Sequence, residues 1–297
     1  MREDRLNPGA GPLVLKVGGR LLDDPLAFAA TFAAIATLHR ELPGGAVLVH
    51  GGGVAVDRQL ERLGLVSEKR DGIRITPPEH VEQIAATLAG LVNKRLVGLL
   101  ASLGADSGCA PVGICLGDGW LCETRKATRF AFDPGRVGEV TGGDGSLVRT
   151  LLEGGFLPVV SSIGLDAAGE LLNVNADDAA AALCPVVGAC GLVLLTDVPG
   201  VRGRDGSTLA SLDRAGFDAL VGDGTISGGM IPKVRSALEA AAVARVPVTI
   251  AGWNDPDALL RLAHGGTACG TGGCHGRTRY GGKASGWWWR LVDRLLW

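Results

Sequence analysis

A largely parallel β-sheet with helices on both faces is the fold class that this 297-residue sequence predicts, and three observations predict it. Apolar runs alternate along the chain with segments of helical periodicity. Several of those runs are continuously apolar rather than alternating, the pattern of strands buried on both faces. Two of them, Leu13-Val14-Leu15-Lys16-Val17-Gly18-Gly19 and Ala46-Val47-Leu48-Val49-His50-Gly51-Gly52-Gly53, end in glycines, and a helix-like segment follows each.

Taken in chain order, the first strand is Leu13–Val17, followed by a helix over Pro25–Arg40. The second strand is Ala46–His50, followed by a helix over Val54–Leu63. A long helix over Pro78–Leu103 starts at Pro78, where a missing N–H costs nothing. Ala110–Leu116 is the third strand, and Gly117-Asp118-Gly119 after it reads as a turn. A helix over Gly145–Glu153 leads to a strand over Leu157–Ile163, and Asp166–Glu170 reads as a hairpin or surface turn. The apolar stretch Ala179–Leu195 is broken by Pro185, Gly188 and Gly191, so it reads as the helix Asp177–Leu183 and the strand Leu192–Thr196 rather than a membrane span. A helix over Ile231–Ala244, a strand over Val246–Ala251 and a helix over Pro256–Leu262 complete the pattern. In such a sheet, ligands are expected outside the carboxyl ends of the strands, where both glycine turns lie.

Composition narrows the function. Formal net charge is −2, with 29 basic and 31 acidic residues spread along the chain, so no electrostatic footprint for nucleic acid is present. With 46% hydrophobic residues the chain can bury a substantial core. The charged start Met1-Arg2-Glu3-Asp4-Arg5 lacks the apolar segment of a signal peptide, and a cytoplasmic protein without membrane partners is expected. Among the seven cysteines, Cys109, Cys115, Cys122, Cys184 and Cys190 lack paired ligand spacing and read as free thiols. Cys269, Cys274 and His275 lack a fourth ligand, so no metal site is assigned. Beyond residue 271 the composition shifts to glycine and then tryptophan, with four of six tryptophans in the tail. Residues 272–297 are read as a divergent extension of one domain spanning 1–271.

The chemistry points to anionic, phosphorylated ligands. Paired glycines at a strand end let a ligand reach bare backbone N–H groups, and a helix N-terminus favours negative charge. Lys16 stands beside one such turn, and Lys233 follows Ser227-Gly228-Gly229-Met230-Ile231-Pro232, so two ammonium groups can clamp a transferring phosphoryl group. Asp177, opening a helix in Asn173-Val174-Asn175-Ala176-Asp177-Asp178, either caps that helix or orients the lysines, and Asp178 serves as a cap equally well. Arg74 is a candidate for bidentate pairing with a carboxylate. Two familiar phosphate signatures are absent. The P-loop pattern fails at Arg277 and Ala284, and neither glycine run supplies G-x-G-x-x-G. His50 invites an acid/base role, but its expected task is to hold the glycine loop by a hydrogen bond.

Eight segments in order carry a resemblance. They are Leu15–Gly19, His50–Gly53, Gly72–Thr76, Asn93-Lys94, Pro158–Gly164, Asn173–Asp177, Leu195–Val201 and Gly228–Lys233. Together, over about Leu13 to Thr271, they resemble the amino acid kinase family and, within it, the N-acetylglutamate kinases. The resemblance implies a three-layer α/β/α sandwich with an N-terminal lobe of about 12–190 for the acyl substrate and a C-terminal lobe of about 191–271 for ATP. It implies ATP-dependent phosphorylation of the γ-carboxylate of N-acetyl-L-glutamate in arginine biosynthesis, with Mg²⁺ held mainly by the ATP phosphates.

By position, the resemblance assigns catalysis to Lys16, Asp177 and Lys233, with Asp177 organising both lysines. Gly52, Gly53, Arg74 and Asn173 would bind the substrate. Gly18 and Gly19 would meet phosphate, and Thr196, Asp197, Val198, Pro199, Gly200 and Val201 with Thr225, Ile226 and Ser227 would line the ATP site. The short stretch before Leu13, broken by Pro8, Gly9, Gly11 and Pro12, lacks the longer N-terminal helix of arginine-inhibited members. A homodimer without strong arginine feedback is therefore expected. The alternatives are a kinase for carrier-protein-bound aminoadipate or glutamate, another kinase of the family, and a silent ligand-binding regulator.

Overall fold

A computed structural model describes residues 11–18, 20–23, 29–70, 72–104, 109–209, 211–263 and 271–273. The expected start of the first long helix at Pro25, the phosphate contact at Gly19, the cysteine and histidine positions 269, 274 and 275, and the tryptophan tail all lie outside the described residues.

The elements run β1 (Leu13–Val17), α1 (Arg20–Asp23), α2 (Ala29–Glu41), β2 (Ala46–His50), α3 (Gly53–Arg62), β3 (Lys69–Arg70), β4 (Ile73–Arg74), α4 (Pro78–Ala85) and α5 (Asn93–Gly104). They continue with β5 (Ala110–Cys115), β6 (Glu123–Lys126), β7 (Val137–Gly142), α6 (Ser146–Glu153), β8 (Phe156–Ser161), β9 (Ile163–Leu165), β10 (Leu171–Val174) and α7 (Ala176–Val187). The last are β11 (Gly191–Thr196), β12 (Ser211–Leu212), α8 (Arg214–Gly222), α9 (Met230–Ala244), β13 (Val248–Gly252), α10 (Pro256–Ala263) and β14 (Thr271–Gly273).

The main sheet has the order β12-β14-β13-β11-β1-β2-β8-β5. Every pairing from β13 through β5 is parallel, β14 pairs antiparallel to β13, and β12 pairs parallel to β14. Its central strands are continuously apolar because both faces are covered. One face packs Leu15, Leu48 and Val193 against Phe32, Ile35 and Leu38 of α2 and Leu96 and Leu100 of α5. The other packs Val14, Val47 and Leu192 against Ala179, Ala180 and Leu183 of α7 and Val234, Ala237 and Ala241 of α9. The fold is thus the three-layer α/β/α sandwich that the resemblance implied.

β1 sits where the chain's strand order divides, with β2, β8 and β5 on one side and β11 and β13 on the other. In open α/β sheets the crevice at such a reversal is where ligands bind, outside the strands' carboxyl ends. Parallel register aligns Val17 with His50 and Lys16 with Leu194, so both glycine turns and the end of β11 emerge at one edge.

The structure departs from the expected elements in several places, among them helix α8 and the short strands β3, β4, β12 and β14, which no expected element covers. The apolar run Leu157–Ile163 is two strands: after Ser161 the chain leaves the main sheet, and β9 joins a second sheet of order β6-β7-β10-β9. That four-stranded sheet was not anticipated, because β6 and β7 carry charged and glycine residues instead of an apolar run. The helix expected over Pro78–Leu103 is continuous but widens into π-helical turns over Ala86–Val92. It is long and apolar enough to cross a membrane by length and composition, yet it buries Val81, Ile84, Leu88, Leu96 and Leu100 within the protein. Asp166–Glu170 does make the turn of the β9–β10 hairpin, closed by Asp166 N donating to Glu170 O at 2.9 Å. Cys109, Cys115, Cys122, Cys184 and Cys190 are free thiols, and burial pushes Cys122 and Cys184 up to about 12.

Candidate active site

Two clefts open at the carboxyl edge of the main sheet, and the same three residues, Lys16, Gly18 and Asp177, line both. The first encloses about 300 Å³ and is bounded by Gly51, Gly52 and Gly53, the β3–β4 hairpin, Leu88, Asn173 and Asn175. The second encloses about 200 Å³ and is bounded by Leu194, Leu195, Thr196, Lys233, Ser236, Ile250 and Trp253.

Lys16 is the penultimate residue of β1, and its Nζ lies 2.8 Å from Oδ1 of Asp177. The lysine folds back over Gly18, where an added Cβ would stand 3.0 Å from Nζ. Asp177 is free for this pairing because it does not cap its helix. Asn175 caps α7, its Oδ1 accepting from Asp177 N at 2.8 Å and Asp178 N at 3.2 Å. Asp178 turns the other way, to Arg129. Both aspartates are therefore excluded as the cap.

Lys233 stands in the first turn of α9, and its Nζ pairs with Asp197, the residue after β11. Hydrogen bonding from Lys233 leads the effects that hold the Asp197 carboxyl below its ordinary range. The resemblance had Asp177 organising both lysines; here each lysine has its own aspartate.

Gly52 ends the turn after β2 at φ 154°, a backbone region that L residues rarely adopt, and the N-terminus of α3 at Gly53 has no side-chain cap. Gly52 and Gly53 line the first cleft, and the helix's first backbone donors there have no side-chain cap. His50 holds this turn. Its Nδ1 lies 2.8 Å from Gly51 O, and its Nε2 lies 3.0 Å from Asn93 Nδ2, which also reaches Val159 O at 2.9 Å. An amide nitrogen only donates, so Nε2 accepts and Nδ1–H donates. Burial leads the causes that bring the imidazole down to about 4, and it stays neutral.

Arg74 lies on β4, its Nη1 donating to Asp57 and Ser67 and its Nη2 to Gly53 O at 2.9 Å. Asn173 lies on β10, its Nδ2 donating to Thr76 Oγ1 at 3.1 Å. Both residues face the first cleft, as do Gly52 and Gly53.

The other ATP-site candidates fall differently. Thr196 lines the second cleft, and Pro199 approaches Gly252, where an added Cβ would stand 3.2 Å from Pro199 Cα. Val201 and Ile226 are buried in the core, with Val201 O accepting from Leu209 N at 2.8 Å and Ile226 N donating to Leu220 O at 2.9 Å. Val198 packs against the same core, Gly200 carries φ 154°, and Thr225 N is held by Asp223 Oδ1 at 3.0 Å. Ser227 O accepts from Met230 N at 3.2 Å, just ahead of α9.

Sequence reasoning missed Trp253, Ser236, Asp57, Ser67 and Lys69. Trp253 follows β13, so its place beyond a strand's carboxyl end was the available signal. Asp57 is a helix-surface carboxylate with no local signature.

A sheet reversal with two adjoining clefts, two lysines held by carboxylates and an uncapped helix N-terminus lining the first cleft defines an α/β/α phosphotransferase site. The chain belongs to the amino acid kinase family, whose sequence model matches residues 11–252. The acetylglutamate kinase of Aeromonas salmonicida is 44% identical over 259 residues, covering 87% of this chain and 96% of that enzyme. Among solved structures, smu.665 from Streptococcus mutans UA159 matches with TM-score 0.63 and 26% identity over 80% of this chain and 94% of its own. A carbamate kinase from Giardia shares the fold at TM-score 0.60 and 16% identity, with coverage of 90% and 100%.

Proposed function

We propose that this chain transfers the γ-phosphoryl group of ATP to the γ-carboxylate of N-acetyl-L-glutamate, forming N-acetyl-L-glutamyl 5-phosphate in arginine biosynthesis. The observation that carries the reading is the meeting of two clefts at Lys16, Gly18 and Asp177. It is supported by the 44% identity to a named acetylglutamate kinase along nearly its whole length.

The two clefts divide along the chain. Apart from the shared wall, the first draws on residues 51 to 176 and the second on residues 194 to 253. We assign the acyl substrate to the first and ATP to the second, which gives the lobes of about 12–190 and 191–271. Arg74 and Asn173 then hold the α-carboxylate and neighbouring polar atoms, while the amides at Gly52 and Gly53 meet the reacting end. Apolar walls from Val56, Ile84, Leu88 and Val137 suit the acetyl group and the methylenes.

A carboxylate oxygen of the acceptor attacks the γ-phosphorus as the bond to the bridging oxygen of ADP breaks. No proton has to be removed, so the site's task is alignment and charge neutralisation. Lys16 acts from the acceptor side and Lys233 from the nucleotide side, each held by its own aspartate. Mg²⁺ is assigned to the ATP phosphates. Among the described residues no three His, Cys, Asp or Glu side chains gather into a metal cradle, and both site aspartates are engaged by lysines.

A cytoplasmic homodimer completes the reading. Among the described residues β5 is the outer strand of the main sheet, and that edge of the sheet is where a second copy would add. Sedimentation of the purified chain tests the dimer.

Hydroxylamine trapping of the acyl phosphate tests the activity, with N-acetyl-L-glutamate, free glutamate and N-acetyl-aminoadipate compared at equal concentration. Strong preference for N-acetyl-L-glutamate is expected. No product from any of the three would shift the reading to a carrier-bound acceptor or a silent regulator.

A further inference from the structure

One carboxylate gathers three side chains from the segment that roofs the first cleft. Asp57, on α3, accepts from Ser67 Oγ at 2.8 Å, from Lys69 Nζ at 2.8 Å and from Arg74 Nη1. Lys69 and Arg74 are partners in the β3–β4 register and, with Gly72 and Ile73, line the cleft. Elsewhere the segment is held by Arg70 over the Phe132 ring at 4.8 Å and by the bridge of Thr76 to Gly135, so Asp57 is the α3 side chain that ties the hairpin's Lys69 and Arg74 to that helix. The hairpin forms a sheet of its own, with only two residues in each strand. A hairpin of that size has marginal stability in water unless it packs on something.

The charge arithmetic is also specific. Lys69, Arg74 and Asp57 sum to a single positive charge, the complement of one carboxylate. Arg74 has five N–H donors, and its bonds to Asp57, Ser67 and Gly53 O engage three of them. The other two remain for a substrate, on a guanidinium whose side chain is only 9% exposed. Hydrogen bonds from Arg74, Lys69 and Ser67 hold the Asp57 carboxyl well below its usual range although burial opposes them, so the clamp stays charged at neutral pH.

We infer that Asp57 is a positioning residue for acceptor recognition: it pins the β3–β4 hairpin to α3 and aims Arg74 at the α-carboxylate of the substrate. The inference rests on the acceptor reading proposed above. Asp57 does not touch the transferring group. Its loss therefore acts on acceptor affinity and leaves phosphoryl transfer and ATP binding near their original values.

The test compares two acceptors, N-acetyl-L-glutamate and 4-acetamidobutanoate, which keeps the reacting carboxylate and the acetamide but lacks the α-carboxylate. In Asp57→Asn, KM for N-acetyl-L-glutamate is expected to rise at least about tenfold, with kcat and KM for ATP changed less than about threefold. Asp57→Glu should recover most of that loss. With 4-acetamidobutanoate the penalty should disappear, because Arg74 has nothing there to be aimed at. An equal penalty on both acceptors, or an unchanged KM, would overturn the inference. Should Asp57→Asn fail to fold, Ser67→Ala is read by the same acceptor difference and the same criteria. If the unaltered protein phosphorylates neither acceptor, the proposed function fails rather than the role of Asp57.

Discussion

Lys16 at the end of β1 and Asp177 in the first turn of α7 form an ion pair at 2.8 Å, and both residues line both clefts. The pair therefore marks the boundary across which a phosphoryl group would pass. Asn175 makes this possible by taking over the cap of α7, which leaves the Asp177 carboxylate to the lysine.

Replacing either lysine tests the boundary directly. Lys16→Ala and Lys233→Ala are each expected to lower kcat on the order of 10²–10³-fold, by analogy with losing one donor to developing negative charge. Steady-state turnover by hydroxylamine trapping is the measurement. Near-normal kcat in either variant would remove that lysine from the transfer step.

Asp197 tests whether the second lysine needs its own anchor. Asp197→Ala frees the Lys233 ammonium from its ion pair. A positioning loss of about tenfold in kcat is expected, smaller than that of Lys233→Ala. Equal losses in the two variants would mean that Asp197 does more than hold the lysine.

Gly52 is constrained by conformation more than by space. At φ 154° an L side chain is strained, and an added Cβ would stand 2.9 Å from Leu88 Cδ2 and 3.2 Å from Val92 Cγ2. Gly52→Ala is expected to cost about 1–3 kcal/mol in urea unfolding. Unchanged stability would show that the turn relaxes freely.

His50 gives a pH signature. Its folded-state value is depressed to about 4 from 6.5, so the unfolded chain binds the proton more readily. The neutral ring's contribution is complete above about pH 6.5 and erodes as pH falls toward 4, by about 3 kcal/mol at the end of that window. Urea unfolding of the unaltered protein and of His50→Gln between pH 7 and 4.5 should show the difference. Parallel pH profiles would place the ring outside this account.

Much of the main sheet was legible because buried parallel strands announce themselves as unbroken apolar runs, as in Leu13–Val17 and Gly191–Thr196. The second sheet was not, since β6 reads Glu123-Thr124-Arg125-Lys126 and its pairing is decided by β7. The glycine turns and both lysines were legible from their strand and helix ends. Their partners were less so. Asp57 resembles any surface carboxylate until the fold carries Arg74 to it, and Asp197, expected at the ATP site, gave no sign of its pairing with Lys233.

By itself, the sequence determined the strand ends, the glycine conformations and the chemical types gathered near them, because these depend on local pattern and backbone sterics. Tertiary structure alone decided which aspartate meets which lysine and that one carboxylate clamps the hairpin. That Asn175 rather than Asp177 caps α7 is a local choice among three neighbouring side chains, but the lysine–aspartate pairs join residues far apart in the chain and exist because the order of strands around β1 brings distant helix and strand ends to a single edge.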